Sequence, residues 1–263
     1  MNLLAVEAVG LMAPGLVGWT ASQAVLAGQR SYVVEPMPAT MATLLPANER
    51  RRITATIKLA LQVAQEAMTQ ADLDAGTVPT IFASSGGDSE VLDKICTALT
   101  QPDRPVSPTH FHQSVHNTPA GYWAIATGCM GPSLSLAAYD SSFAAGLREA
   151  AALAWAEQAR VLLVAYDLPL PAPMAGRRKI VAPFGVALLL NPALPVNRLA
   201  LLRLASGGDE PADRLDDAGL ERLRAGNPAA RSLPLLCAMA RRAATRVILS
   251  AGDNATLSVE VAP

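Results

Sequence analysis

Aromatic side chains are scarce in this 263-residue sequence, at 4% of the chain: three Trp, four Tyr and four Phe. So few rings argue against an aromatic-lined carbohydrate groove. Cysteine is scarcer still. Cys96, Cys129 and Cys237 are odd in number and scattered, which excludes a disulfide framework and a zinc spacing and predicts reduced thiols. Charge of one sign is missing too. With 21 Lys+Arg against 22 Asp+Glu the net charge is −1, so nucleic acid is a poor candidate partner. The longest apolar run, Val181–Leu190, spans 10 residues and is interrupted by Pro183 and Gly185, too short for a membrane span. The opening MNLLAVEAVG has no basic region and no cleavage signal, so the expected location is cytoplasmic.

Alanine is abundant instead. It accounts for 50 residues, about 19% of the chain, in keeping with an aliphatic core under small-residue helices. Helical and strand patterns alternate from Met1 to about Asn191, which predicts an α/β architecture. Ile53–Ala71 is the clearest helix, with Ile53, Ile57, Ala60, Leu61, Ala64 and Met68 on one face. Strands are expected at Leu3–Leu11, Pro79–Ala83, Ser133–Ala138, Arg160–Tyr166 and Phe184–Leu190, and helices at Ser89–Leu99, Asn117–Thr127 and Ser141–Gln158. Asp88 is a candidate cap for the first of these helices. After Pro195 the pattern gives a strand at Leu199–Ala205, an acidic loop from Ser206 to Asp217 and a helix at Leu233–Ala244. A terminal hairpin, Thr245–Ser250 and Thr256–Val261, turns through Ala251-Gly252-Asp253-Asn254.

The informative stretch runs from Ser107 to Glu149, SPTHFHQSVHNTPAGYWAIATGCMGPSLSLAAYDSSFAAGLRE. Asn117, Gly121, Gly128, Gly131 and Pro132 stand at the offsets of an N-x3-G-x6-G-x2-G-P segment, followed by SLSLAAYDSSFAAG. This block resembles the nucleophile region of the β-ketoacyl synthases, where such a segment leads through a short strand to a cysteine at the start of a long helix. Aligned from Gly131-Pro132, the cysteine position falls on Asp140, and Gly86-Gly87 stands where the family has a glycine-rich loop. The resemblance covers about residues 1–190. It implies a thiolase-like α/β fold with a complete first half (1–195) and a reduced second half (196–263) packed on the same domain.

Decarboxylative condensation needs a thiolate to carry the acyl chain and histidine-type donors for the charge that develops on the thioester oxygen. The family draws its two histidines from its second half. Here His110, His112 and His116 lie within seven residues of the first half and none follows. A carboxylate at 140 is a poor acyl carrier, so no catalytic residue is assigned. The resemblance then narrows to the ketosynthase chain-length factors, non-catalytic subunits that pair with an active ketosynthase and shape its acyl tunnel. Ser-Pro…His-Asn…Pro-Ala-Gly-Tyr-Trp over Ser107–Trp123 is similar to the subunits of aryl-polyene-type pathways. The chain departs from most such factors in its shorter second half and in Asp140, where they usually carry glutamine.

What the resemblance implies for residues is a tunnel or interface set of Phe111, His112, His116, Asn117, Ser133, Ser135 and Asp140. Ser133–Ala138 is the strand expected to pair across a heterodimer axis. The implied partners are a catalytic ketosynthase subunit and, mainly through it, an acyl carrier protein. No metal and no cofactor is expected. Read without the resemblance, Asp140 is a helix cap or a favourable charge at a helix N-terminus. His110, His112 and His116 share one side of an extended segment and line a pocket or interface. Ser84-Ser85-Gly86-Gly87 is a tight strand-to-helix turn, and Arg50-Arg51-Arg52 and Arg177-Arg178-Lys179 are solvated faces or carrier-protein contacts. Cys129 and Cys237 read as inert. Two competing functions are a homodimeric scaffold and an acyltransferase or hydrolase using Ser84, Ser85 or Ser141 with His112 or His116. No G-x-S-x-G elbow supports the latter.

Overall fold

The computed structural model describes residues 3–252 and 255–263; Asp253 and Asn254, half of the expected hairpin turn, lie outside the described residues. The chain runs β1 (Leu4–Ala13), β2 (Leu16–Val17), α1 (Trp19–Leu26), α2 (Ala47–Arg50), α3 (Ala55–Ala71), β3 (Thr80–Ala83) and α4 (Ser89–Leu99). It continues α5 (Pro108–Gln113), α6 (Thr118–Thr127), β4 (Ser133–Leu136), α7 (Ser142–Glu157), β5 (Val161–Asp167), α8 (Ala172–Ala175) and β6 (Phe184–Asn191). It ends β7 (Ala200–Ser206), α9 (Ala218–Gly226), α10 (Leu233–Arg241), β8 (Thr245–Gly252) and β9 (Ala255–Ala262). The strands form one sheet in the order β4-β3-β5-β6-β1-β7-β9-β8, with β2 beside β1. Among the described residues only the β3–β4 and β3–β5 pairs are parallel.

Strands β5 and β6 are buried along their whole length, as the apolar runs Val161–Tyr166 and Phe184–Leu190 require of strands covered on both faces. On one face α3 supplies Ile57, Leu61, Ala64 and Met68, and α6 supplies Trp123. On the other, Phe143, Leu147, Ala150 and Ala154 of α7 join α1, α10 and the β7-β9-β8 strands in the larger core. The layers approach closely where glycine allows it. A Cβ on Gly10 of β1 would stand 1.9 Å from the Val63 carbonyl oxygen of α3, and one on Gly146 of α7 would stand 2.9 Å from Ala83.

β1 pairs with β6 along its length but with β7 only through Leu4–Val6. Beyond Val6 the free edge of β1 is completed by α3 side chains. Val9 N–H donates to Gln70 Oε1 (3.0 Å) and Leu11 N–H to Glu66 Oε2 (2.9 Å), while Glu66 Oε1 accepts from Trp19 N–H (2.7 Å). Burial pushes the Glu66 carboxyl above the usual carboxylate range, and its two backbone donors oppose that shift.

Thr54 caps α3 and Asp88 caps α4, accepting from Ile57 N–H (3.3 Å) and Val91 N–H (3.1 Å). Five helices carry no clear sequence signal: α1, α2, α5, α8 and α9. Residues 108–113 are helical and not extended, because Ser107 accepts from His110 N–H and Pro108 opens the first turn. His110, His112 and His116 therefore do not share the side that strand alternation would give them. Among the described residues no helix is long and apolar enough to cross a membrane.

Candidate functional site

The parallel strands β3, β4 and β5 end together at their carboxyl edges, where open α/β sheets place their sites. After β4 the chain passes Ala138 and enters a 3₁₀ turn, Tyr139–Ser141, that leads into α7. Tyr139 has a left-handed backbone (φ 50°), unusual for a bulky residue. The turn is held by Ser142, whose Oγ accepts from Ala138 N–H (3.0 Å) and donates to the Tyr139 carbonyl (2.7 Å).

Asp140 does not cap α7. Its carboxylate is bridged by two guanidiniums, Arg178 Nη2 on Oδ1 at 2.6 Å and Arg231 Nη2 on Oδ2 at 2.9 Å. Two fixed cations satisfy the carboxylate more strongly than peptide N–H groups. Arg178 comes from the turn after α8, so the basic cluster at 177–179 is not simply a solvated face. Its guanidinium also lies 3.9 Å over the Tyr139 ring. Arg231 comes from the 3₁₀ turn before α10 and bonds Ser250 Oγ at 3.3 Å. That turn is positioned by buried Asn227. Its side-chain oxygen accepts from Ala229 and Ala230 N–H, and its amide donates to the Ala182 and Asp167 carbonyls.

Asp167, at the end of β5, is the second carboxyl of the site. Its Oδ1 accepts from Ser84 Oγ (3.2 Å), Ser85 N–H (2.9 Å) and Ser85 Oγ (2.7 Å). Its Oδ2 is buried and has no partner among the described residues. Burial pushes this carboxyl up to about 6, against the pull of its serine donors and the Arg178 charge. Burial likewise raises the neighbouring Tyr166 phenol.

The same turn is tied to the segment before α6. His116 Nε2–H donates to the Ser84 carbonyl at 3.1 Å, and a Cβ on Gly87 would stand 3.3 Å from its ring. His116 thus faces a carbonyl, while Ser84 Oγ is taken by Asp167 and by Gly87 N–H, so no Ser–His pair forms there. The His112 ring meets Tyr122 edge-on at 6.3 Å. Phe111 projects outward, 69% exposed, and Asn117 is exposed at the start of α6. Ser133 accepts from Thr80 Oγ1 at 2.9 Å, whereas the Ser135 hydroxyl is buried without a partner among the described residues.

Among the described residues β4 is an edge strand, bonded to β3 only. Leu134 of β4, Met130 just before it and Ile125 of α6, a helix that packs against β4, are exposed apolar side chains. Among the described residues no group of three or more His, Cys, Asp or Glu is placed to hold a metal ion. Cys129 and Cys237 are buried, and burial pushes the Cys237 thiol up to about 11, far from a reactive thiolate. The sequence pointed to Asp140, the histidines and the 177–179 basic cluster, but missed the pairing of Arg178 with Asp140 and the roles of Arg231, Asn227, Asp167 and Tyr139. These residues meet only through loops far apart in the chain.

The profile described as "Beta-ketoacyl synthase, N-terminal domain" matches residues 19–218. No curated protein matches the sequence. Among solved structures, the chain superposes on one of a ketosynthase (ApeO) in complex with its chain length factor (ApeC) from Xenorhabdus doucetiae. The TM-score is 0.75 at 22% identity, covering 99% of both chains. The ishigamide ketosynthase/chain length factor gives 0.72 at 14% identity over 98% of both chains. The AntDE:AntF complex, a type II polyketide synthase acyl-carrier protein with its hexaketide-bound ketosynthase, gives 0.72 at 12% identity over 99% of both chains. At these identities the likeness concerns the fold, which is thiolase-like.

Proposed function

This chain belongs to the β-ketoacyl synthase N-terminal domain family, and from that premise we propose that it is a non-catalytic, chain-length-factor subunit. It pairs with an active β-ketoacyl-carrier-protein synthase and shapes that partner's acyl tunnel, in fatty acid or polyketide synthesis of the aryl polyene kind. The observation that carries this reading is Asp140 bridged by Arg178 and Arg231 at the head of α7. Aligned from Gly131-Pro132, this is where the family's nucleophile stands.

The bridge gives the position a structural task. A carboxylate shared by two guanidiniums is a weak nucleophile, and an acyl ester on it would leave both cations without their counter-ion. Electrostatic help for a thioester oxyanion requires free donors aimed at the reacting oxygen, whereas here the donors are spent on Asp140.

The partner surface is β4. Its free edge offers unpaired backbone groups beside exposed Leu134, Met130 and Ile125, a combination that promotes aggregation unless another chain covers it. Paired with the corresponding strand of a ketosynthase, it yields one continuous sheet and a hydrophobic interface of the obligate type. Phe111, His112, His116 and Asn117, in and after α5, are the residues proposed to border the tunnel, with Ser133, Ser135 and Asp140 at its strand side. An acyl carrier protein engages the complex mainly through the catalytic subunit. The pairing of β7 with β1 supports reading residues 196–263 as one unit with residues 1–195.

The test is co-expression with a catalytic ketosynthase from the same gene neighbourhood, followed by co-purification. A stoichiometric complex is expected. A stable monomer at micromolar concentration with no affinity for such a ketosynthase overturns the reading.

A further inference from the structure

Of the eleven Trp, Tyr and Phe side chains, only Phe111 and Tyr139 are exposed among the described residues. Tyr139 is 62% exposed and stands three residues beyond the end of the free edge strand β4. Its backbone is left-handed, a conformation that persists in a bulky residue only where the surroundings impose it. Here they do: Ser142 fixes the peptide on both sides, and Arg178 covers the ring. The Arg178 guanidinium is itself fixed by Asp140, whose other oxygen is held by Arg231. An exposed ring is thus braced by a four-residue cluster drawn from three separate parts of the chain.

We propose that Tyr139 is the preorganised aromatic anchor by which this chain grips its ketosynthase partner, and that the Arg178–Asp140–Arg231 bridge exists to aim it. The inference rests on the pairing proposed along β4. If the partner's edge strand pairs antiparallel with β4, it begins where β4 ends, so Tyr139 lies over the segment leading into the partner's strand. The occupant is therefore the partner's own approach to its edge strand, offering a slot for a ring with an acceptor for the phenol. A side chain whose rotamer is already set loses little freedom on association, and tyrosine is among the residues that most often dominate interfaces.

The experiment measures association between the full chain and the co-expressed ketosynthase for wild type, Tyr139→Gly and Tyr139→Phe. Glycine accepts the left-handed backbone, so Tyr139→Gly removes the ring and leaves the turn intact. Tyr139→Gly is expected to weaken association by about 30-fold or more. Tyr139→Phe, which keeps the ring, is expected to stay within about threefold of wild type, the weight of one exposed hydrogen bond. Arg178→Met, which releases the ring, is expected to fall between the two. Wild type and Tyr139→Gly binding equally well overturns the anchor and leaves the subunit reading standing. Wild type failing to bind overturns both.

Discussion

Arg178 and Asp140 are 38 residues apart in sequence, yet the guanidinium and carboxylate meet at 2.6 Å at the head of α7. Arg231, 91 residues from Asp140, closes the other side. The bridge joins the turn after β4, the loop between β5 and β6 and the turn before α10 at the carboxyl ends of the parallel strands. Replacing the carboxylate by an amide, Asp140→Asn, leaves two cations facing each other across a weaker acceptor. The pair is partly exposed, so the expected loss is about 1 kcal/mol, read as a drop of about 2–4 °C in thermal midpoint. An unchanged midpoint would mean that the bridge holds nothing together.

Asp167 makes stability depend on pH. Its folded pKa, about 6, lies above the ordinary 3.8, so the folded state binds the extra proton. The stabilisation is complete below the unfolded value and is lost as pH rises through 6. At about 1.4 kcal/mol per unit the change is about 3 kcal/mol. Denaturant titrations of wild type and Asp167→Asn between pH 3.5 and 7.5 should diverge over this window, the variant showing the flatter profile. Glu66, also raised by burial, contributes a residual slope of the same sign in both proteins. Parallel profiles would show that the buried carboxyl keeps its ordinary affinity for protons.

The core was legible where one period persists over a long segment. Residues 53–71 read as an amphipathic helix, and α3 begins two residues later because Thr54 takes the cap. The wholly apolar runs at β5 and β6 were legible as buried strands for the same reason. Residues 108–113 were not, because a six-residue helix is defined by its cap and proline more than by any period. At the site, Asp140 was legible from its offset to Gly131-Pro132, but its partners were not. An ion pair across 38 or 91 residues leaves no mark in local pattern, and a left-handed Tyr139 has no signature comparable to that of glycine.

Close approach of α3 to β1 gives a sharper packing test. Gly10→Ala would drive a methyl group to 1.9 Å from the Val63 carbonyl oxygen, part of rigid helical backbone. A destabilisation of about 3 kcal/mol is expected, at the upper end of overpacking costs. Calorimetry showing less than about 0.5 kcal/mol, the range of an exposed surface change, would contradict the close contact.

Phe111 and His116 should separate cleanly although they lie five residues apart. Phe111 is exposed, so Phe111→Ala should leave the stability of the chain within about 0.5 kcal/mol. In a reconstituted complex it should shift the product-length distribution at near-normal turnover. His116→Ala removes the donor to the Ser84 carbonyl, and should cost about 1 kcal/mol of stability. If neither variant, nor His112→Ala, changes the distribution in an intact complex, the tunnel border lies elsewhere.

The central claim, that this chain supports condensation without performing it, is tested most directly by intact-mass analysis after incubation with acyl and malonyl carrier protein. The chain alone should remain at its unmodified mass and release no carbon dioxide from malonyl carrier protein. With the ketosynthase present, the acyl adduct should form on the partner only. A stoichiometric adduct on this chain, mapped to Asp140 or to a serine, would contradict the account.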